Sequence, residues 1–336
     1  MRVTVIGAGV AGLACALELA ERGAAVEVLE RGAQVGSSCC SWYAGGMLAP
    51  WCELPGAEPL IARLGSESIG WWRERFAGTT INGSLVITHG RDSAELAHFA
   101  RRTRRFETLG PEAIAALEPD LAGRFGTALF FKDEAHLDPR AALAALARRL
   151  EELAVPIRYG LEASPAAVTE GRVIDCTGLA ARGVLSDLRG VKGEMLLLRL
   201  RDVTLSRPIR VLHPRVPLYV VPRGDGLFMV GATMIESDEP TRISARSMLE
   251  LLSAAYALHP AFGAAEIVEI GTGVRPAFPD NLPRIRRYGR TLYINGLYRH
   301  GFLLAPALAR MAAEIVLHDR NFPEVTDEDP RERRLA

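Results

Sequence analysis

Gly7-Ala8-Gly9-Val10-Ala11-Gly12 sets three glycines at the spacing G-x-G-x-x-G, and an acid, Glu30, follows eighteen residues after the last of them. Glycines so spaced let backbone come close to a pyrophosphate, and a helix that starts there aims its free N–H groups at the negative charge. A carboxylate at that distance suits the hydroxyl pair of a ribose and disfavours a 2′-phosphate. The implied chemistry is dinucleotide binding. The pattern alone does not separate NAD from FAD.

The elements that must position these groups surround them. Val3-Thr4-Val5-Ile6 reads as a buried strand entering the turn. Residues 13–22 place Leu13, Leu17 and Ala20 on one helical face, with Gly23 as the stop, and Ala25 to Leu29 reads as a second strand ending on the acid. Further on, helices are predicted around Leu60–Phe76, Ser93–Arg105, Asp138–Leu153 (Asp138 as cap, Pro139 first in the helix), Ser244–Leu258 and Phe302–His318. A strand pair is expected near Ser84–Thr88 and Ala128–Lys132. Parallel-type strands are expected at 172–176 and 291–295, with antiparallel strands at Arg207–Leu212, Leu218–Val221 and Leu227–Val230 between them.

That order predicts an α/β fold: a discontinuous Rossmann-like nucleotide unit (1–80, 135–190 and 280–330) holding an inserted, mostly antiparallel α+β substrate unit (81–134 and 191–279). A chain of 336 residues is long enough for both. Its 40 basic and 40 acidic side chains balance, which argues against a nucleic-acid partner. The run Arg101-Arg102-Thr103-Arg104-Arg105 reads as a solvated helix face. No apolar run approaches the roughly 20 residues of a membrane helix, and no signal peptide is apparent, so no membrane partner and a cytoplasmic location are expected. Five cysteines without a CxxC pair fit a reducing compartment. Cys39, Cys40 and Cys52 read as small residues in a tight loop in preference to a metal or redox cluster, and no metal is expected.

Beyond the glycine turn, four longer segments carry a resemblance: Ser41-Trp42-Tyr43-Ala44-Gly45-Gly46-Met47-Leu48-Ala49-Pro50, Asp175-Cys176-Thr177-Gly178, Gly273-Val274-Arg275-Pro276, and the ending Gly296 to Pro306. Tyr219-Val220-Val221-Pro222-Arg223 and Val230-Gly231-Ala232-Thr233-Met234 add to it. In this order and over nearly the whole chain, they resemble the D-amino-acid-oxidase superfamily of flavoproteins, and within it the glycine oxidases of thiamin biosynthesis.

The resemblance implies non-covalent FAD in an extended form. Gly7, Gly9, Val10, Ala11, Gly12 and Glu30 would hold pyrophosphate and ribose, with Arg31 and Val168 on the adenine side. Gly45, Gly46 and Met47 would lie along the isoalloxazine, near Thr177 and Gly178. Arg299, His300, Gly301, Phe302 and Leu303 would close the site from the last helix, whose positive N-terminus suits charge at the reduced ring. Arg275 is the candidate grip on a substrate carboxylate, since a guanidinium pairs bidentately with one.

Tyr219 reads either as a second donor to that carboxylate or as a sheet tyrosine at the core edge. Met234, ending a strand, reads as an apolar wall or as core. Arg299 would bond substrate or ring, whereas His300 reads better as a structural histidine. No paired carboxylates, Ser-His-Asp order or metal spacing stands out, which fits hydride transfer from a small amino acid and reoxidation by oxygen. The products would be imine or glyoxylate, ammonia and hydrogen peroxide.

Aromatic bulk in the loop is carried by Trp42, Tyr43 and Trp51, which face either the pocket or a subunit interface. A homo-oligomer, dimer or tetramer, and a link to the thiazole synthase machinery are expected. The alternatives are a D-amino-acid or N-methyl-amino-acid dehydrogenase using an electron carrier, and a non-catalytic flavin-binding partner protein.

Overall fold

The computed structural model describes residues 1–89, 93–213 and 218–327; the last three residues of the expected nucleotide unit, 328–330, lie outside them. The chain builds the expected α/β architecture around two sheets. The first has six strands: β1 (Arg2–Ile6), β2 (Ala25–Glu30), β8 (Ile157–Tyr159), β9 (Arg172–Asp175), β16 (Arg284–Tyr288) and β17 (Thr291–Asn295), in the order β16-β17-β9-β1-β2-β8. β1 runs parallel to both β2 and β9, and β17 runs parallel to β9, so strands from both halves of the chain flank the first one made. Strands buried on both faces read as continuous apolar runs, which is why β1 could be recognised without alternation.

Helix α1 (Val10–Glu21) follows β1, and Gly23 takes φ +82 just past its end. Helix α8 (Gly301–His318) packs on it, and α3 (Pro59–Arg75) packs on α8 and reaches α1 through the Trp71 indole, which donates to Glu18. Gly65 lets Leu303 close on α3, and the Trp72 indole donates to the Phe302 carbonyl at 2.8 Å. By length and composition α8 could cross a membrane, but 72% of it is buried within the protein, so its apolar character is used in the core. Helix α6 (Pro139–Glu152) starts as predicted: the Asp138 carboxylate accepts from the N–H groups of Arg140 and Ala141.

The second sheet has nine strands: β4 (Ser84–Thr88), β5 (Glu107–Leu109), β6 (Ala128–Phe131), β10 (Arg189–Arg199), β11 (Ile209–Leu212), β12 (Leu218–Pro222), β13 (Leu227–Gly231), β14 (Ile235–Glu236) and β15 (Glu266–Ala277). Its pairings are antiparallel except β11 with β4, which is parallel. The longest is β10 with β15, from Arg189↔Ala277 to Arg199↔Glu266, with one irregularity at Leu197/Leu198. Helix α7 (Ala245–Leu258), capped by Ser244, packs on this sheet, while α4 (Ser93–Arg101) and α5 (Pro111–Leu117) lie near β4 and β5. A two-stranded ladder pairs β3 (Met47–Leu48) with β7 (Ala135–His136), and β3 leads into the short helix α2 (Pro50–Glu53).

Two local expectations need correction. The helix predicted over 93–105 ends at Arg101, and Arg105 adopts φ +59. Arg104 and Arg105 stay solvent-exposed as expected but leave the helix and lie over the Trp51 ring, 5.0 and 4.9 Å from its centroid, in cation–π contact. Met234 does not end a strand: β13 stops at Gly231, and Met234 sits 45% exposed before β14.

Candidate active site

Gly7 takes φ +99, and a Cβ there would stand 2.8 Å from the Cys176 carbonyl oxygen; a Cβ at Gly12 would overlap the Gly7 carbonyl. Both glycines are therefore demanded by close backbone packing of β1, α1 and the end of β9. At Gly9 a Cβ would meet only Ser41 Oγ and Cys39 at ordinary contact distance, so this side of the turn is open. Helix α1 carries no acid in its first turn, and its N-cap is the glycine itself. That is a cradle suited to an anion.

Glu30 is buried behind it. Its carboxylate accepts from Ala8 N, Gly32 N and Ser38 Oγ, each at 2.6 Å, with only the first on Oε2. A carboxylate has about four acceptor positions, so Oε2 can still take a ribose hydroxyl. Arg31 is exposed beside it, and Val168 is half-buried just after the turn Pro165–Ala167 that precedes β9. Thr177 donates its N–H and hydroxyl to Asp175, at 2.9 and 2.7 Å, and Gly178 takes φ +63 while its carbonyl accepts from Asn295. Thr177 is thus held as a turn, with both donors occupied.

From this cradle the chain leads to a cavity between the second sheet, the Cys40–Met47 segment and the start of α8. Ser41 Oγ accepts from Val10 N at 3.3 Å and also lines the cavity, and a Cβ on Gly301 would touch Val10 at 3.5 Å. Gly45, Gly46, Met47, Tyr219, Met234, Arg275, Arg299, His300, Gly301, Phe302 and Leu303 all line it, which unites the predicted ring-facing and substrate-facing residues. The Ala44–Met47 turn on one wall is pinned from behind. Arg223 donates to the carbonyls of Ala44 (3.2 Å), Gly45 (2.8 Å) and Leu137 (3.0 Å), and Leu137 N donates to the Gly46 carbonyl. Gly46 takes φ +68, and a Cβ would enter the Leu137 carbonyl. Burial lowers the Arg223 pKa to about 10, although Asp138 lies 3.6 Å away.

Arg275 is delivered by sheet geometry. β15 pairs Gly273 with Gly193 and Arg275 with Val191, and the guanidinium lies across Gly193, where a side chain would collide with it. Gly193 is thus the mid-strand glycine that makes room for Arg275. The guanidinium donates to the Thr233 carbonyl at 3.1 Å, and among the described residues no carboxylate pairs with it. Burial lowers its pKa. The thiol of Cys40, half-buried beside it, is raised by the same desolvation.

Two further arginines, one tyrosine and one histidine of the cavity converge on a residue the sequence reading missed. Glu53, at the end of α2, accepts from Arg299 Nη2 at 2.5 Å, from the Tyr219 hydroxyl and from His300 at 3.2 Å, and Arg210 lies 3.6 Å away. Burial alone would raise the Glu53 pKa; Arg299 and Arg210 override it and hold the carboxyl well below its usual range. His300 is lowered by burial, so its ring stays neutral near pH 7. Arg210 and Tyr219 face each other across β11 and β12, with the guanidinium 5.2 Å from the ring. An arginine inside the apolar strand Ile209–Leu212 was the available signal, because such a charge needs a buried partner.

Of the three loop aromatics, only Tyr43 lines the cavity, packed on Gly271. Trp42 lies beneath Arg140 and against Gly36, and Trp51 beneath Arg104 and Arg105. Cys39 bonds the Gly36 carbonyl and Cys52 lies 3.7 Å from Arg210, so the three cysteines have separate surroundings.

Residues 2–315 match the family described as FAD dependent oxidoreductase. A Rhizobium etli protein provisionally named thiamine biosynthesis oxidoreductase ThiO is 55% identical over 325 residues, covering 96% of this chain and 99% of that protein. The glycine oxidase of Bacillus licheniformis is 30% identical over 353 residues, covering 93% and 92%. The crystal structure of glycine oxidase from Geobacillus kaustophilus superposes with a TM-score of 0.80 at 24% identity, covering 96% of each chain. With a glycine cradle that fits its cofactor, FAD, the chain belongs to the FAD dependent oxidoreductase family.

Proposed function

We propose that this protein oxidises glycine and other small amines or D-amino acids at the Arg275 cavity, and that the imine or glyoxylate so formed feeds thiazole formation in thiamin biosynthesis. The names of the two relatives support the substrate and the pathway. The observation that carries the reading is a half-buried guanidinium, unpaired with any carboxylate among the described residues, in the cavity that adjoins the FAD cradle.

When bound, FAD supplies the acceptor for the Cα hydride, and its reoxidation by oxygen yields hydrogen peroxide. The residues do the rest. Arg275 takes the substrate carboxylate in a bidentate pair, which fixes orientation as well as affinity. Met229, Tyr43, Phe302 and Leu303 line the cavity with apolar surface and exclude water. Glu53, held ionised by its arginines, is a weak proton acceptor, so the amine is taken up as the neutral base, its proton having been released to solvent water before hydride transfer. Free cysteines throughout fit work in the cytoplasm, and the exposed Ile267, Val268 and Ile270 on β15 favour a dimer or tetramer.

The test is the visible spectrum of the purified protein and a peroxide assay over glycine, sarcosine, and D- and L-amino acids. A colourless protein that stays inactive with added FAD would sink the reading. Turnover that needs an electron carrier and makes no peroxide would make it a dehydrogenase.

A further inference from the structure

The cavity wall contains three guanidinium groups, from Arg210, Arg275 and Arg299, and one carboxylate, Glu53. Two of the three cations and the one phenol that contacts them are spent on that carboxylate: Arg299 at 2.5 Å, Arg210 at 3.6 Å, and the Tyr219 hydroxyl. Arg275 alone has no carboxylate partner among the described residues. Glu53 is also held in place through the peptides before it. The buried Glu134 carboxylate accepts from Trp51 N at 2.9 Å and Cys52 N at 2.7 Å, and from the Ser84 hydroxyl.

We propose that Glu53 is the specificity-determining residue that restricts this site to amines bearing one carboxylate. By occupying Arg299 and Tyr219 it removes them as anion donors, and its own charge repels a second substrate carboxylate that approaches that wall. Arg275 remains as the lone anchor. Dicarboxylic amines are thereby excluded by unfavourable charge and not by size. This inference rests on the amine-oxidase reading, and it makes a separate demand: replacing Glu53 with its neutral isostere should open a second anion site beside the first.

The experiment uses the FAD-loaded full chain and unreactive probes. Acetate, malonate and succinate are titrated while the flavin absorbance band is followed. In the native protein, malonate and succinate are expected to bind no more tightly than acetate; either one binding more than tenfold tighter would overturn the proposal. In Glu53→Gln, at least one of the two dicarboxylates is expected to gain tenfold or more relative to acetate, and a smaller gain would overturn it. If Glu53→Gln fails to hold FAD, the native titration still decides, with Glu53→Asp expected to keep the preference for acetate. The probes do not turn over, so absence of glycine oxidation would remove the functional reading while leaving this binding test readable.

Discussion

The Arg299 guanidinium donates to the Glu53 carboxylate at 2.5 Å, joining residues 246 positions apart in the chain. One stands just before α8, the other at the end of α2, so the contact ties the start of the last helix to the end of that short one. It also separates the arginines by role: Arg299 has an internal partner, and Arg275 is left for a ligand.

Arg275→Ala is therefore expected to lower kcat/KM for glycine at least tenfold, mainly through KM, with Arg275→Lys recovering part of the loss. Charge-assisted bonds of about 1.5–3 kcal/mol each set that scale. Steady-state kinetics with the peroxide assay checks it. Unchanged turnover would show that the carboxylate is held elsewhere.

Glu134 gives a pH prediction. Burial pushes its pKa up to about 8 from an ordinary 4.5, against three donors that favour the charged form. The folded protein thus keeps a proton that the unfolded chain releases between those two values. Its contribution to stability is complete below about pH 4.5 and is lost as pH rises to about 8, with a slope of about 1.4 kcal/mol per pH unit at most. Urea unfolding of native protein and Glu134→Gln at pH 5, 6.5 and 8 should show the native protein losing stability relative to the variant as pH rises. Parallel curves would show that the group does not titrate there.

Arg223→Gln removes donors from three carbonyls that shape the Ala44–Met47 turn. FAD affinity, measured by flavin fluorescence on titrating apoprotein, is expected to fall at least tenfold. Arg223→Lys should rescue it in part, because an ammonium keeps the charge but not the planar fork. Retention of full affinity in Arg223→Gln would mean that the turn is held by its own backbone.

Gly12→Ala tests the other end of the cofactor. Its methyl would overlap the Gly7 carbonyl, forcing α1 away from β1. The purified variant is expected to lack visible flavin absorbance, and a yellow protein of normal FAD content would contradict the packing described for the turn.

What was legible in the sequence is mostly local. The strand–turn–helix at Gly7–Gly12 and the caps at Asp138 and Ser244 are settled within a few residues, and each is present. β15 was hidden because Gly271 and Gly273 interrupt its apolar pattern; those positions must be bare where Tyr43 and Cys40 press on the strand. Glu53 was invisible for a different reason. A lone acid after an apolar stretch has no periodicity to betray it, and its partners come from β11, β12 and the turn before α8, regions brought together only by the completed fold. The orientation of Trp42 and Trp51 likewise depended on arginines far along the chain, and that of Tyr43 on the bare Gly271 of β15.

The first sheet places β1 between β2 and β9, seats β17 beyond β9, and covers α1 with α8. During synthesis the first strand and helix therefore emerge long before the segments that bury them. The nascent nucleotide-binding layer stays open, apolar and without its cofactor until α8 has left the ribosome, while the second sheet, whose last strand is β15, can close earlier. Cofactor capture is then a late event in the life of each molecule, and a chain stopped short of α8 is a target for chaperones and proteases, not a partly active enzyme.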